Sequence, residues 1–484
     1  MKTPSVQLRT IYTFFLASAA FVLTSYKTLA QEYPAGNWAG ELNFGGATSH
    51  ISIFSFSTDG SKGKVLVSMP SSGMHDLQAG RVEMEGDSLW VSFRDHMMSY
   101  TYAGLYRKRD EEITGTLAVA AAGIKVPLVL KPESINNIRP NRPQTPQAPF
   151  PYTVLPTAFS GGDESITISG TITAPKGKKE VPGVVLISGS GPHNRDGEQF
   201  FHKTFLVLAD ELTKRGFAVL RYDERGVGES SGKYTGNFTE DFARDADAAV
   251  KALRADKRIK VKDVYVIGHS EGTLMAQIVA AQDSSVAGVV LLAAAGLPGP
   301  EFNKAQDLAL LKARGKSEES QETQIMFKTY DIVAASADSI TAVANLHTWF
   351  NEAEVDPQYR AMFIAPVMNP WRFHSLHFDP TPYQHKIKAP VLAITGENDL
   401  QTPAKPNFAA LKAGLLAGGN NNFTGVILPE LNHFMQNSIT GAYDEPYTLE
   451  ETFSTETLKT IGDWLEKQSM DRADAKASKA SKTK

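Results

Sequence analysis

The residues most able to do chemistry are a serine, an acid and a histidine that follow one another in that order. Gly268-His269-Ser270-Glu271-Gly272 sets a serine between two glycines, each two positions away. A serine hydroxyl is a weak nucleophile until a base takes its proton, and the base needs a carboxylate to hold its tautomer. Asp399, in Thr395-Gly396-Glu397-Asn398-Asp399, and His433, in Leu431-Asn432-His433-Phe434, fit those roles, with Glu397 as the alternative acid. Together the three would attack a carbonyl and pass through an acyl-enzyme. The tetrahedral intermediate on that route needs two N–H donors. One is expected from Glu271, the residue after the nucleophile. The other is expected from the loop Ser188-Gly189-Ser190-Gly191-Pro192, with Ser190 favoured and Gly191 second. Small residues there, Gly189 and Gly191 among them, let backbone approach a substrate. His269 is expected to point away from the nucleophile and to be structural.

This chemistry requires three loops that meet at one edge of a sheet. Val264 to Gly268 reads as an apolar strand and Thr273 to Ala281 as a helix, so Ser270 falls in a strand-to-helix turn. Asp399 follows the apolar run Pro390 to Gly396, and His433 follows Gly425 to Leu428. Val181 to Ser188, Phe217 to Tyr222 and Val286 to Ala293 are further apolar runs, alternating with helical patterns such as His202 to Arg215, closed by Gly216. Fully apolar strands between helices predict a mostly parallel sheet covered on both faces. The α/β rhythm breaks from Leu297 to Lys388, which reads as a helical insertion. Asp223 and Arg225, in the stretch Asp223 to Ser230, read as braces of the loops around the nucleophile. The Ser188–Pro192 loop does not fit a dinucleotide or phosphate site: position 194 is Asn, and a Walker lysine is missing.

Upstream the pattern differs. Residues 31–138 alternate polar and apolar in short runs, such as Ser88-Leu89-Trp90-Val91-Ser92-Phe93, separated by turns like Glu85-Gly86-Asp87. They predict a small all-β sandwich or barrel. His50, His75 and His96 are scattered there, and no metal site is expected. Residues 139–151 carry five prolines (Pro140, Pro143, Pro146, Pro149 and Pro151) and read as a stiff linker to an α/β domain over 152–468. The Lys/Ala/Ser-rich segment 469–484 reads as a disordered tail. Residues 1–30 read as an export signal: Lys2 and Arg9, an apolar run from Ile11 to Leu23, and a small-x-small site at Thr28-Leu29-Ala30 that would leave Gln31 first. That implies a periplasmic or secreted protein without a later transmembrane span.

The chain has 484 residues, a formal charge of −4 and no cysteine. The charge gives no support to a nucleic-acid partner. The missing cysteine excludes disulfides, thiol catalysis and cysteine metal centres.

Ile187-Ser188-Gly189-Ser190-Gly191-Pro192 with Arg195-Asp196, the Asp223–Ser230 stretch, the turn at Ser270 and Leu431-Asn432-His433 resemble the bacterial α/β-hydrolases described as esterases or serine aminopeptidase-like hydrolases. The resemblance runs from about Pro151 to Leu465. The β domain is similar to one that precedes the hydrolase in some of those proteins. The resemblance implies the triad Ser270, Asp399 and His433, a cap at 297–388 after the sixth strand, and no metal or organic cofactor. Thr273 stands where many relatives have a small residue. The expected reaction is hydrolysis of a short-acyl carboxylic ester. A small-molecule ester or a short peptide would be the partner. Two alternatives stay open: a peptidase or amidase on the same triad, and an envelope glycan-binding protein whose hydrolase body is inert.

Overall fold

The computed structural model describes residues 33–482, except 44–48, 60–61, 73, 95–97, 120–123 and 178–179. The export signal lies outside the described residues, as do His96 and the side chains of His50 and His75. Among the described residues no helix is long and apolar enough to cross a membrane.

Nine strands between Gly36 and Pro132 form one antiparallel sheet. The first, Gly36–Asn43, pairs with both the second, Ser49–Asp59, and the ninth, Ile124–Pro132. The sheet curls until its ends approach: Ala79 N–H donates to Val65 at 2.9 Å and Gly80 N–H to Ser92 at 2.9 Å. The result is a partly closed barrel rather than a sandwich. Period-two alternation fills it. In Ser88–Arg94 it is Leu89, Val91 and Phe93 that turn inward, meeting Phe54, Tyr102 and Leu117. The Tyr102 hydroxyl reaches two core carbonyls, Ile113 at 3.0 Å and Leu128 at 3.1 Å, so the buried phenol is satisfied.

The Pro-rich segment is not a free spacer. Arg142 donates to the carbonyls of Phe200, Tyr447 and Leu449 at 2.7–2.9 Å. The Gln144 amide bonds the backbone of Thr452 and Phe453. Both side chains hook the segment onto the second domain.

That domain is built on eight strands in the spatial order Thr153–Ser160, Thr167–Ala174, Ala218–Tyr222, Val181–Ile187, Val261–His269, Val289–Leu292, Val391–Gly396 and Phe423–Leu428. The last six are parallel; Thr167–Ala174 is antiparallel to both its neighbours. The Thr153–Ser160 and Thr167–Ala174 pair lies outside the expected strands although Thr and Ser alternate with apolar residues there, because the pair is antiparallel and lacks the continuous apolar runs of the parallel strands. One face packs on the helices Thr204–Arg215 and Thr455–Lys482 through Leu208, Leu212, Ile461 and Leu465. The other packs on Thr239–Ala255, Gly272–Gln282 and Ala404–Ala417 through Ala246, Val250, Met275, Val279 and Leu411.

Between Val289–Leu292, the sixth strand of this sheet along the chain, and Val391–Gly396 stand the helices Gly299–Ala313, Gln321–Ala334, Ser339–Glu352, Pro357–Val367 and Pro370–His377. They have a core of their own, with Val333, Leu346, Phe350 and Val367. The tail corrects the expectation of disorder. The last helix runs through Ser469 to Lys482, since Arg472 and Lys476, four apart and so on one face, both reach Asp263 at 3.1 Å.

Candidate active site

The turn after Val261–His269 is tight. A Cβ on Gly268 would stand 2.1 Å from the Gly272 carbonyl, and one on Gly272 2.4 Å from the Ile187 carbonyl, so only glycine fits at either place. Between them Ser270 takes φ +54°, a left-handed conformation that is costly for a residue with a side chain. The turn lifts its hydroxyl over the sheet edge at the N-terminus of Gly272–Gln282, where the helix field favours negative charge.

Thr273 fits beneath this turn. Its buried hydroxyl donates to the Ser270 carbonyl at 2.6 Å and accepts from Ala295 N–H at 3.1 Å. The side chain thereby ties the turn to the start of the cap.

Ser270 Oγ lies 3.0 Å from His433 Nε2, and His433 Nδ1 lies 3.0 Å from each carboxylate oxygen of Asp399. Nδ1–H donating to Asp399 leaves Nε2 free to accept from the serine. Asp399 is 3% exposed and His433 6%. The backbone N–H groups of Gln401 and Thr402 donate to Asp399 Oδ1 at 2.9 and 2.7 Å, which aims the carboxylate. Glu397 is exposed and does not reach His433. His269 Nε2–H donates to the His433 carbonyl at 2.8 Å. Burial, reinforced by His433 beside it, keeps that ring neutral.

The Ser188–Pro192 loop crosses above Ser270. A Cβ on Gly189 would stand 3.0 Å from Ser270 Cβ, so the loop passes as close as glycine allows. Gly191 N–H is engaged by the Tyr234 hydroxyl at 2.9 Å. The Ser190 and Glu271 N–H groups have no acceptor among the described residues. Behind the loop Glu224 accepts from His193 N–H at 2.8 Å and Ser188 Oγ at 3.2 Å. Burial pushes its carboxyl well up. Asp223 pairs with Arg195 at 2.6 Å and Arg225 with Asp245 at 2.6 Å, so both Asp223 and Arg225 brace loops.

These groups open into a cavity of about 260 Å³ walled by Leu274, Phe302, Trp371, Phe378, Phe434 and Tyr443. The Glu271 side chain lines it too. It accepts from Ser190 Oγ at 2.7 Å, Thr239 Oγ1 at 2.7 Å and Trp371 Nε1 at 3.1 Å, all uncharged donors. Thr239, Trp371, Gln199 and Tyr443 carried no sequence signal as site residues: each comes from a different segment and only the fold gathers them. Among the described residues no group of three or more His, Asp or Glu is placed to hold a metal.

The family model described as serine aminopeptidase, S33, matches residues 202–433. Esterase EstD of Thermotoga maritima is 29% identical over 287 residues, covering 59% of this chain and 62% of that protein. The chain thus spans less than two thirds of that relative's length. The AB hydrolase superfamily protein YisY of Bacillus subtilis is 26% identical over 211 residues, 42% of this chain and 71% of that one. Among solved structures, an esterase of Pyrococcus furiosus is similar at 18% identity and a TM-score of 0.42, covering 68% of this chain and 97% of its own.

Proposed function

We propose that this chain, which has the α/β-hydrolase fold and matches the serine aminopeptidase, S33, family model over residues 202–433, hydrolyses carboxylic esters with short acyl groups. One observation carries the proposal: the unbroken contact of Ser270, His433 and Asp399 at the base of a closed-in cavity. His433 Nε2 takes the Ser270 proton as Oγ attacks the ester carbonyl. The oxyanion rests on the N–H groups of Ser190 and Glu271. Collapse expels the alcohol, protonated by His433. Water, with His433 as base again, then releases the acid and restores Ser270.

A short acyl group is favoured by the cavity volume, which lies just below the usual range of about 300–1,000 Å³ for ligand sites. The similarity to an esterase of Thermotoga maritima supports an ester over an amide. Ser270→Ala tests the proposal. Turnover of p-nitrophenyl acetate should vanish while circular dichroism stays unchanged; retained turnover overturns it.

A second reading, peptide or amide hydrolysis on the same triad, draws on the S33 family match and on the Glu271 carboxylate, which faces the cavity without a cationic partner among the described residues. Side-by-side assays on p-nitrophenyl esters and aminoacyl-naphthylamides decide between them. Fluorophosphonate labelling of Ser270 separates both from an inert, glycan-binding body. Export rests on the sequence of residues 1–30, and N-terminal sequencing of protein recovered from outside the cytoplasm should begin at Gln31.

A further inference from the structure

The β domain reaches the active site. Its Pro70–Ser72 turn presents two successive carbonyls to the catalytic domain. Pro70 accepts from Phe200 N–H at 2.9 Å. Ser71 accepts from Gln199 Nε2 at 3.2 Å and from the Tyr443 hydroxyl at 3.0 Å, and that hydroxyl in turn accepts from Gln199 Nε2 at 3.0 Å. Gln199 and Tyr443 both line the substrate cavity. Between them Phe200 packs edge-on against Phe434 and Tyr443, each with centroids 5.6 Å apart, and Phe434 follows His433 directly.

The wall turns at Phe200 and Phe201, which take φ +52° and +62° as the two-residue loop of the hairpin Glu198–Gln199/His202–Lys203, with no glycine at either place. Such a stretch persists only where its surroundings over-determine it. Besides the hairpin, the β-domain turn holds the loop on one side, and the linker's Arg142, bonded to the Phe200 carbonyl at 2.9 Å, holds it on the other.

We infer that the Pro70–Ser72 turn is a positioning element of the active site, fixing the Gln199–Tyr443 wall against which substrate seats. The inference rests on the hydrolase reading of Ser270. It makes the β domain part of the specificity apparatus rather than an independent binding module. The turn touches no reacting atom, so it governs how substrate is held more than how the bond breaks.

The test uses the full chain, with Pro70→Gly, Ser71→Gly and Ser72→Gly combined. KM for p-nitrophenyl butyrate should rise about three- to tenfold, the scale of one ordinary hydrogen bond, with a much smaller change in kcat. Tyr443→Phe keeps the ring and removes only the hydroxyl that bonds Ser71, so it should raise KM as well. Because the two share the Ser71–Tyr443 contact, the combined variant should show less than the product of the two effects. An unchanged KM in a folded turn variant overturns the inference, as do effects that multiply. If the turn variant does not fold, Tyr443→Phe decides alone, and an unchanged KM overturns it. Fluorophosphonate labelling is run in parallel: an unlabelled parent protein means that the hydrolase reading has failed, whereas intact labelling with unchanged KM values means that only the inference has.

Discussion

The indole N–H of Trp371, on the last long helix of the cap, donates to the carboxylate of Glu271, the residue after Ser270, at 3.1 Å. The same carboxylate oxygen accepts from Ser190 Oγ. One side chain therefore links the cap, the turn at Ser270 and the Ser188–Pro192 loop. Glu271→Ala cuts those links and leaves the backbone N–H in place. We expect kcat/KM on p-nitrophenyl acetate to fall at least about tenfold, the worth of one hydrogen bond to a charged group at about 1.5 kcal/mol. Glu271→Gln keeps an acceptor for Trp371 and should fall less. Steady-state kinetics of both variants checks this.

Trp371 also sets a boundary. It and Arg372 line both the active-site cavity and a groove of about 520 Å³ between cap helices. Trp371→Ala should join the two spaces. At about 0.8 kcal/mol for each newly buried CH₂, two more methylenes are worth about tenfold. The ratio of octanoate to acetate turnover, as kcat/KM, should rise by that factor; an unchanged ratio places the acyl pocket elsewhere.

Asp399→Asn leaves the shape of the triad but offers an amide where His433 Nδ1–H needs an acceptor. The opposite tautomer then puts a proton on Nε2, which can no longer take one from Ser270. A fall in kcat of about 10⁴ is expected, with KM little changed. Pre-steady-state acylation measures it directly. Glu397→Gln, at an exposed position, should have no effect.

The nucleophile turn was legible because its sterics admit one residue type: backbone crowding leaves no room for a Cβ at positions 268 and 272. The buried parallel strands were legible from their apolar runs. Choices between similar residues in one loop were not. Asp399 and Glu397 have the same chemistry, and only the N–H groups of Gln401 and Thr402 turn the former toward His433. Ser190 and Gly191 are likewise interchangeable on paper until Tyr234 takes up the Gly191 N–H. Contacts across long separations left no local pattern at all. Ser71 meets Gln199 128 residues on and Tyr443 372 residues on. The helical tail was hidden for another reason: its composition is that of a solvated segment, and Asp263, which holds it, lies over 200 residues upstream.

His202 gives the fold an acid-labile point. It is buried, with Nδ1 2.8 Å from Thr452 Oγ1 and Nε2 2.8 Å from the Pro446 carbonyl. Burial, then the charge of Arg142, lowers its pKa to about 3 from an ordinary 6.5. Between those values the unfolded chain binds a proton that the folded chain refuses. The stability contributed by neutral His202 is therefore complete above pH 6.5 and is lost as pH falls toward 3. The slope is at most about 1.4 kcal/mol per pH unit. Urea denaturation at pH 7, 5 and 4 should show a shallower acid loss in His202→Gln than in the parent protein, and equal slopes would refute the assignment.

Thr273 lies beneath the turn at Ser270, and its hydroxyl has two partners, the Ser270 carbonyl and the Ala295 N–H. Thr273→Ala leaves the Ala295 N–H, which lies where the sheet hands the chain to the cap, buried without an acceptor. An unsatisfied buried donor costs about 1–3 kcal/mol. The Ser270 carbonyl loses less, since it still accepts from the Thr273 N–H at 2.9 Å. The destabilisation should therefore fall at the cap junction, with the nucleophile still in place. Thermal denaturation of Thr273→Ala should show a lowered Tm and Thr273→Ser should restore most of it, because serine keeps the hydroxyl and drops only the methyl. Thr273→Val, which keeps the shape and drops the hydroxyl, should resemble the alanine variant. If valine instead matches the parent, the residue serves by packing and the link from turn to cap is not a hydrogen bond.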